Sequence, residues 1–325
     1  MTGRPDEPRV VVVVPCYNEV AVVARFHQEL AAVLDRLPAC RFAVLYVDDG
    51  SDDGTLAALN ALAEDDPRVE VLSLSRNYGH QVALSAGLDF ARGDAVVMMD
   101  CDLQHPPAHL PAMLARWREG YDVVSAVRGA NVDEPPLKRL TSRTFYWLFN
   151  ALSSTKIVPG AADFCLLSAR AQAALRRMPE RHRFLRGMIS WMGFRRALVP
   201  YDAPARVAGR SKYGLLRMLS LAGNALFSFS AFPLQLATRI GGLIVIGGGV
   251  YLTVVLVKYF SGDRLVSGWT SLLGVILILG GTQLIFIGLI GNYLARIFDE
   301  TKRRPLYFAK QIPRAGAGPV AEDPP

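Results

Sequence analysis

The sequence predicts an α/β fold in which a parallel-rich sheet carries helices on both faces, followed by a two-helix apolar hairpin. Three observations predict it. Short β-branched runs alternate with longer helical stretches from Val10 to about Val124, the pattern of a parallel sheet covered by helices. A polar group follows each run: Asn18 and Glu19, Asp48 and Asp49, Arg76 and Asn77, Asp100 and Asp102. Finally, residues 240–257 and 269–295 carry no charge, and about 20 apolar residues cross a bilayer's hydrocarbon core.

The run from Val10 to Val14 reads as the first strand. It is too short for the apolar core of a secretion signal and leads straight into Pro15, Asn18 and Glu19. Further strands are predicted at 42–47, 69–74 and 95–99, with a fifth near Val123. Helices are predicted at 20–37, 55–63, 81–91 and 107–118. Asp52 or Asp53 can cap the second, and the Pro106-Pro107 pair suits the start of the last. From 132 to about 230 the periodicity is mixed. Residues 137–152 set Lys138, Arg139 and Arg143 beside Phe145, Tyr146, Trp147, Leu148 and Phe149; such a helix can lie at a membrane surface or pack its rings against the sheet domain. Residues 213–230 are similar, with Arg217 as the only interior charge. The predicted organisation is a tail (1–8), an α/β domain (9–213), an interfacial amphipathic helix (214–233), a hairpin (234–298, spans at about 236–260 and 269–295) and a second tail (299–325), disordered beyond Pro313.

Composition agrees with a membrane portion: 51% of the 325 residues are hydrophobic and the mean hydropathy is +0.23. The net charge of +7 suits anionic lipid, phosphorylated substrates or nucleic acid. No helix-turn-helix, zinc-finger or aromatic RNA-binding pattern accompanies the cations, so nucleic acid is set aside. Cys16, Cys40, Cys101 and Cys165 are widely spaced, which indicates neither a zinc knot nor a disulfide framework and favours a reducing compartment. Arg239 precedes the hairpin and Arg296, Lys302, Arg303 and Arg304 follow it, which places both flanks in the cytoplasm by the positive-inside rule, against weaker opposition from Lys258, Asp263 and Arg264. Glycines at 241, 242, 247–249, 280, 281, 288 and 291 allow close helix approach within or between chains.

The chemistry concentrates at the strand ends, which form the ligand crevice of an open α/β sheet. Asp100 and Asp102 are two apart in an extended segment, so both carboxylates can face one divalent cation and bridge it to a diphosphate. Asp48 and Asp49 precede the Gly50 turn, where a carboxylate can accept from a base N–H or ribose hydroxyls. His105 follows closely, but Mg²⁺ prefers oxygen and a structural role is the plainer reading.

Five segments in order, 14–19 (Val-Pro-Cys-Tyr-Asn-Glu), 47–55 (Val-Asp-Asp-Gly-Ser-Asp-Asp-Gly-Thr), 75–80 (Ser-Arg-Asn-Tyr-Gly-His), 100–107 (Asp-Cys-Asp-Leu-Gln-His-Pro-Pro) and 209–213 (Gly-Arg-Ser-Lys-Tyr), resemble the signatures of family 2 glycosyltransferases. With the hairpin, the chain resembles the polyprenyl-phosphate glycosyltransferase branch, which includes bactoprenol glucosyltransferases and dolichol-phosphate mannose synthases, over roughly residues 8–300. The resemblance implies a GT-A domain and a membrane-bound, inverting transfer of one sugar, glucose from UDP-glucose first, to a polyprenyl (undecaprenyl) phosphate. A GDP-mannose-dependent mannosyltransferase and a catalytically silent nucleotide-sugar-binding protein are the alternatives. A processive polysaccharide synthase would need a translocation channel and a Gln-x-x-Arg-Trp segment, and the sequence offers neither.

The resemblance further implies Asp100, Asp102, Asp163 and Lys212 as catalytic residues, and a nucleotide-sugar site of Pro15, Tyr17, Glu19, Asp48, Asp49, Arg76, Asp100, Arg206 and Lys212. It implies Arg128, Arg139 and Arg143 as holders of the acceptor phosphate, and Asp102, Gln104 and Asp100 as ligands of Mg²⁺ or Mn²⁺. Arg183 and Arg186 also match, and structural pairing is the preferred reading for both. The implied setting is a bacterial inner (plasma) membrane crossed more than once, with catalytic domain and both termini cytoplasmic and the chain in a homo-oligomer, a tetramer among the candidates.

Overall fold

A computed structural model describes residues 6–129, 156, 158, 160–201, 232–261 and 268–313. These fall into two units, one made of residues up to 201 together with the segment from Arg304 onward, the other of the two long helices.

The first unit is built on an eight-stranded mixed sheet of order β7-β5-β6-β4-β1-β2-β3-β8. Its strands are β1 (Arg9–Cys16), β2 (Arg41–Asp48), β3 (Val69–Leu74), β4 (Ala95–Met98), β5 (Val123–Arg128), β6 (Ala161–Ser168), β7 (Arg196–Tyr201) and β8 (Ala309–Gln311). β1 pairs in parallel with β2 and β4, and β2 with β3. Strands buried on both faces need continuous rather than alternating apolar runs; Val10 to Val14 accordingly are all buried.

Successive side chains point to opposite faces of the sheet. Val10, Val12, Val14, Val44, Tyr46 and Val97 join a core with Val23, Phe26 and Leu30 of α1 (Val20–Leu34), Leu59 of α2 (Thr55–Asp65) and Met113 and Trp117 of α4 (Leu110–Arg118). The opposite face takes α3 (His80–Phe90) and α5 (Ala169–Arg176), which Gln172 of α5 ties to the Leu88 and Ala91 carbonyls at distances of 2.7 and 3.0 Å. A short α6 (Leu185–Trp191) follows. The parallel-rich, GT-A-like sheet with helices on both faces is therefore the observed fold.

Three strands lay outside the sequence reading. β6 is inserted antiparallel between β4 and β5, and β7 runs parallel to β5 at the edge. β8 falls in the segment expected to be a tail beyond the hairpin; it pairs antiparallel with β3 and closes the other edge. The Phe308 carbonyl accepts from Ser75 N–H at 2.8 Å, Tyr307 hydroxyl bonds Asp89 at 3.2 Å and Gln311 bonds Asn60 at 2.9 Å.

The second unit contains α7 (Phe232–Phe260) and α8 (Trp269–Thr301). Among the described residues, one stretch, Ile278–Thr301, is long and apolar enough to cross a membrane, and Ala237–Tyr251 is a shorter apolar stretch. The predicted interfacial helix at 214–233 falls almost wholly outside the described residues, as does 137–152.

Candidate active site

The strand order reverses at β1, since β2 and β3 lie to one side of it and β4 to the other. The carboxyl ends of β1 and β4 thus flank the switch point where open α/β sheets bind ligands. Pro15, Tyr17 and Glu19 stand at the first end, Asp100, Asp102 and Gln104 at the second.

The loops after β1 and β2 are latched together. Asn18, at φ 56°, donates its N–H to Ser51 Oγ (3.1 Å) and accepts from Asp52 N–H through Oδ1 (3.1 Å). Glu19 N–H donates to Thr55 Oγ1 (2.9 Å), and Asp53 accepts from both Val20 N–H (3.3 Å) and Thr55 N–H (3.0 Å), so it serves the first turns of α1 and α2 together. Tyr17 is exposed at the rim.

Asp48 is buried and accepts from Ser51 N–H (3.1 Å) and Ser73 hydroxyl (2.9 Å). Asp49, also buried, accepts from the N–H groups of Tyr78 (2.8 Å) and Gly79 (2.9 Å), one on each oxygen. Burial pushes its pKa up, although those two N–H groups oppose the shift. Inside this chain Asp49 pins the loop after β3. Gly50, at φ +68°, makes that close approach feasible, because a Cβ there would lie 2.7 Å from Asn77 N and nearer still to the Arg76 carbonyl carbon. Arg76 lays its guanidinium over the Tyr78 ring, 4.0 Å from the centroid.

At the β4 end, Asp100 N–H donates to His105 Nδ1 (2.9 Å). A ring nitrogen that accepts carries no proton, so the neutral ring has its hydrogen on Nε2, and the 3.6 Å approach of Nδ1 to Asp100 Oδ2 is not an ion pair. Burial lowers the His105 pKa, which favours the neutral ring. His105 stacks on Phe164 with centroids 5.3 Å apart, a structural placement. Asp102 Oδ1 accepts from Gln104 N–H (3.0 Å) across Leu103, which sits at φ 61°. Gln104 Oε1 in turn accepts from Arg128 Nη2 (3.2 Å) at the end of β5.

Asp100 Oδ1 is buried with no hydrogen-bond partner. A buried carboxylate oxygen left without a donor is costly, and a divalent cation at Asp100 and Asp102 would satisfy it with the oxygen ligands Mg²⁺ and Mn²⁺ take. The protein side chains are incomplete as a cage: among the described residues no three His, Cys, Asp or Glu side chains gather as a metal site. Such a cation would take its remaining ligands from a bound diphosphate and water.

Asp163 arrives from β6. The antiparallel register ends with Met98 paired to Cys165, which leaves Asp163, two residues before Cys165, and Asp100, two residues after Met98, on the same side of that last pair. Asp163 accepts from Arg186 at 2.7 and 3.0 Å and from Gln81 at 3.3 Å, and His80 Nε2 lies 3.3 Å from it. Burial alone would raise its pKa, but Arg186 and His80 outweigh it and hold the carboxyl well below the usual range. Asp163 is a permanent anion and a poor proton acceptor near neutral pH. His80 Nε2 also lies 3.5 Å from Asp100 Oδ1, outside hydrogen-bond geometry.

The structure therefore brings Asp100, Asp102, Gln104, Arg128 and Asp163 together, with Pro15, Tyr17, Glu19, Asp48, Asp49 and Arg76 on the β1 to β3 side. Arg139, Arg143, Arg206 and Lys212 lie outside the described residues. Arg186 pairs with Asp163, while Arg183 donates to the carbonyls of Glu180 and Met178 at 3.2 and 3.0 Å. Sequence reasoning missed His80 and Gln81, although His80 closes the segment 75–80 that carries part of the resemblance.

Comparison with known proteins bears on this geometry. An uncharacterized glycosyltransferase of Bacillus subtilis, YkcC, is 38% identical over 92% of this chain and 93% of its own length. A prophage bactoprenol glucosyl transferase homolog of Escherichia coli is 37% identical over 94% of this chain and 99% of its own. The bactoprenol glucosyl transferase of Shigella phage SfX is 38% identical over 93% and 99%. Residues 11–176 match the family model for glycosyl transferase family 2. With strand ends, acids and relatives in agreement, this chain belongs to glycosyl transferase family 2.

Proposed function

We propose that this chain is a membrane-bound, inverting hexosyltransferase that moves one sugar from a nucleoside diphosphate to a polyprenyl phosphate, with UDP-glucose as donor. The observation that carries this reading is the division of labour between the acids: Asp100 keeps a buried oxygen without a donor, while Asp163 beside it is fully paired. The relatives named bactoprenol glucosyl transferase support it, because the likeness covers more than nine-tenths of the chain and so includes the long apolar helices.

Asp100 and Asp102, with Gln104 beside them, would hold Mg²⁺ or Mn²⁺, which supplies charge neutralisation of the diphosphate as it departs. Pro15, Tyr17, Glu19 and Arg76 rim a nucleoside seat whose floor is set by Asp48 and Asp49. Arg128, with Arg139 and Arg143, draws in the acceptor phosphate, and Arg206 and Lys212 close on the donor diphosphate. A lipid phosphate is already an anion, so its oxygen attacks the anomeric carbon without losing a proton. Asp163 then orients the sugar. Attack on the face opposite the leaving diphosphate inverts the anomeric centre.

An acceptor whose tail stays in lipid must be met at a bilayer. Exposed Leu243, Val245, Ile246, Leu284, Ile285 and Ile287 on α7 and α8 support a lipid-facing hairpin, with the catalytic unit and both termini cytoplasmic and the helix glycines available to a homo-oligomer. Incubating membranes that contain the protein with labelled UDP-glucose and undecaprenyl phosphate tests the reading. Chloroform-extractable label is expected. Label in lipid only from GDP-mannose would replace the donor, and donor binding with no lipid product would sink the proposal.

A further inference from the structure

Two carboxylates that approach the same side chain repel each other, and a group between them helps to set their spacing. Here His80 lies close to both acids: its Nε2 is 3.3 Å from Asp163 Oδ2 and 3.5 Å from Asp100 Oδ1. We propose that His80 is a positioning residue that fixes the separation of these acids and couples the nucleoside side of the site to the reacting centre, an inference resting on the function proposed above.

The coupling is a run of contacts along the strand ends. Asp49, after β2, holds the N–H groups of Tyr78 and Gly79. Gly79 adopts φ +97°, a conformation that only glycine takes without strain, and the next residue, His80, opens α3. His80 then reaches Asp163 of β6 and Asp100 after β4. Three strand ends are joined through one loop, so a nucleoside seated on that loop and a sugar held at Asp163 are placed relative to each other.

Asp163 keeps Arg186 and Gln81 when His80 is removed, and the His80 side chain is 41% exposed, so the fold does not depend on it. What is lost is orientation. A misplacement of about 1 Å at a reacting centre can cost on the order of 100-fold in rate. Glutamine at this position carries an amide N–H three bonds beyond Cβ, as far out as the imidazole Nε2.

The test compares full-length wild type, His80→Ala and His80→Gln in membranes. His80→Ala should lower kcat for lipid glycosylation by about 30-fold with donor KM within about threefold, and His80→Gln should recover most of the loss. A second arm needs no acceptor: Mn²⁺ titrated in the presence of UDP and read by electron paramagnetic resonance should bind about fivefold more weakly to His80→Ala than to wild type. Wild-type kcat in His80→Ala, a glutamine variant no better than alanine, or unchanged Mn²⁺ affinity would each overturn the proposal. If wild type itself fails to glycosylate polyprenyl phosphate, the functional reading falls and the Mn²⁺ arm still decides the role of His80.

Discussion

Two aspartates two residues apart do different work. Asp102 Oδ1 accepts from Gln104 N–H and shapes the turn, whereas Asp100 Oδ1 is buried without a donor. Asp102→Ala should therefore remove both turn and charge, and Asp100→Asn charge alone. Each is expected to lower sugar transfer by about 100-fold or more, with membrane insertion and far-UV circular dichroism unchanged; near-normal turnover in either would remove that residue from the site. A second prediction concerns His27, away from the site. His27 is buried, with Nδ1 3.1 Å from Tyr46 hydroxyl and Nε2 3.4 Å from Asp66 Oδ2. Burial lowers its pKa below the ordinary 6.5, against the pull of Asp66. The folded form then binds fewer protons than the unfolded chain once pH drops below 6.5. The sign follows: His27's part of the stability is complete above pH 6.5 and is lost as pH falls toward the folded value. His27→Gln should flatten the slope of melting temperature against pH below about 6.5, and an unchanged slope would rule His27 out as its source.

Between strand and helix, the turns decide the geometry. Gly50 sits at φ +68° with the backbone of Arg76 and Asn77 against it. Gly50→Ala adds a strained backbone, about 1–3 kcal/mol, and a collision with backbone that cannot rotate away. The variant should melt lower and bind UDP more weakly, as calorimetry on the detergent-solubilised protein would record; a wild-type UDP affinity would mean that the loop after β3 does not shape the nucleoside seat. The sequence made the first four strands and their helices legible because each parallel strand is a continuous apolar run closed by a polar turn, as from Val10 to Asn18. It concealed β6, since 161–168 (Ala-Ala-Asp-Phe-Cys-Leu-Leu-Ser) lies in a stretch of mixed periodicity and pairs antiparallel with β4 from more than 60 residues away. Asp163 could be named from a resemblance, but its place beside His80, which also approaches Asp100, depends on that pairing. His80 was hidden for a similar reason: a lone histidine gains meaning only when Asp100 and Asp163 arrive from other strands.

At the scale of the whole molecule, the segment 309–311 constrains how the chain can meet a membrane. Residues up to Tyr201 and residues 309–311 belong to one sheet, so the chain that leaves the first unit before α7 returns to it after α8. A path that starts and ends on one side of a bilayer crosses it an even number of times. Ile278–Thr301 is long and apolar enough to cross; if it does, a second crossing is required, and among the described residues α7, 29 residues long, is the helix that could make it. At about 1.5 Å per residue, α7 exceeds the roughly 30 Å of hydrocarbon despite its shorter apolar stretch. Cysteine placed at Ser261, just past α7, should react with a membrane-impermeant maleimide added outside intact cells, whereas cysteine placed at Lys310 in β8 should react only after lysis. Labelling of both positions from one side would mean that α7 and α8 lie along the interface or re-enter it without spanning. The acceptor phosphate would then be reached by a surface-bound enzyme, and the apolar faces of both helices would have to be buried against lipid headgroups or a second copy of the chain.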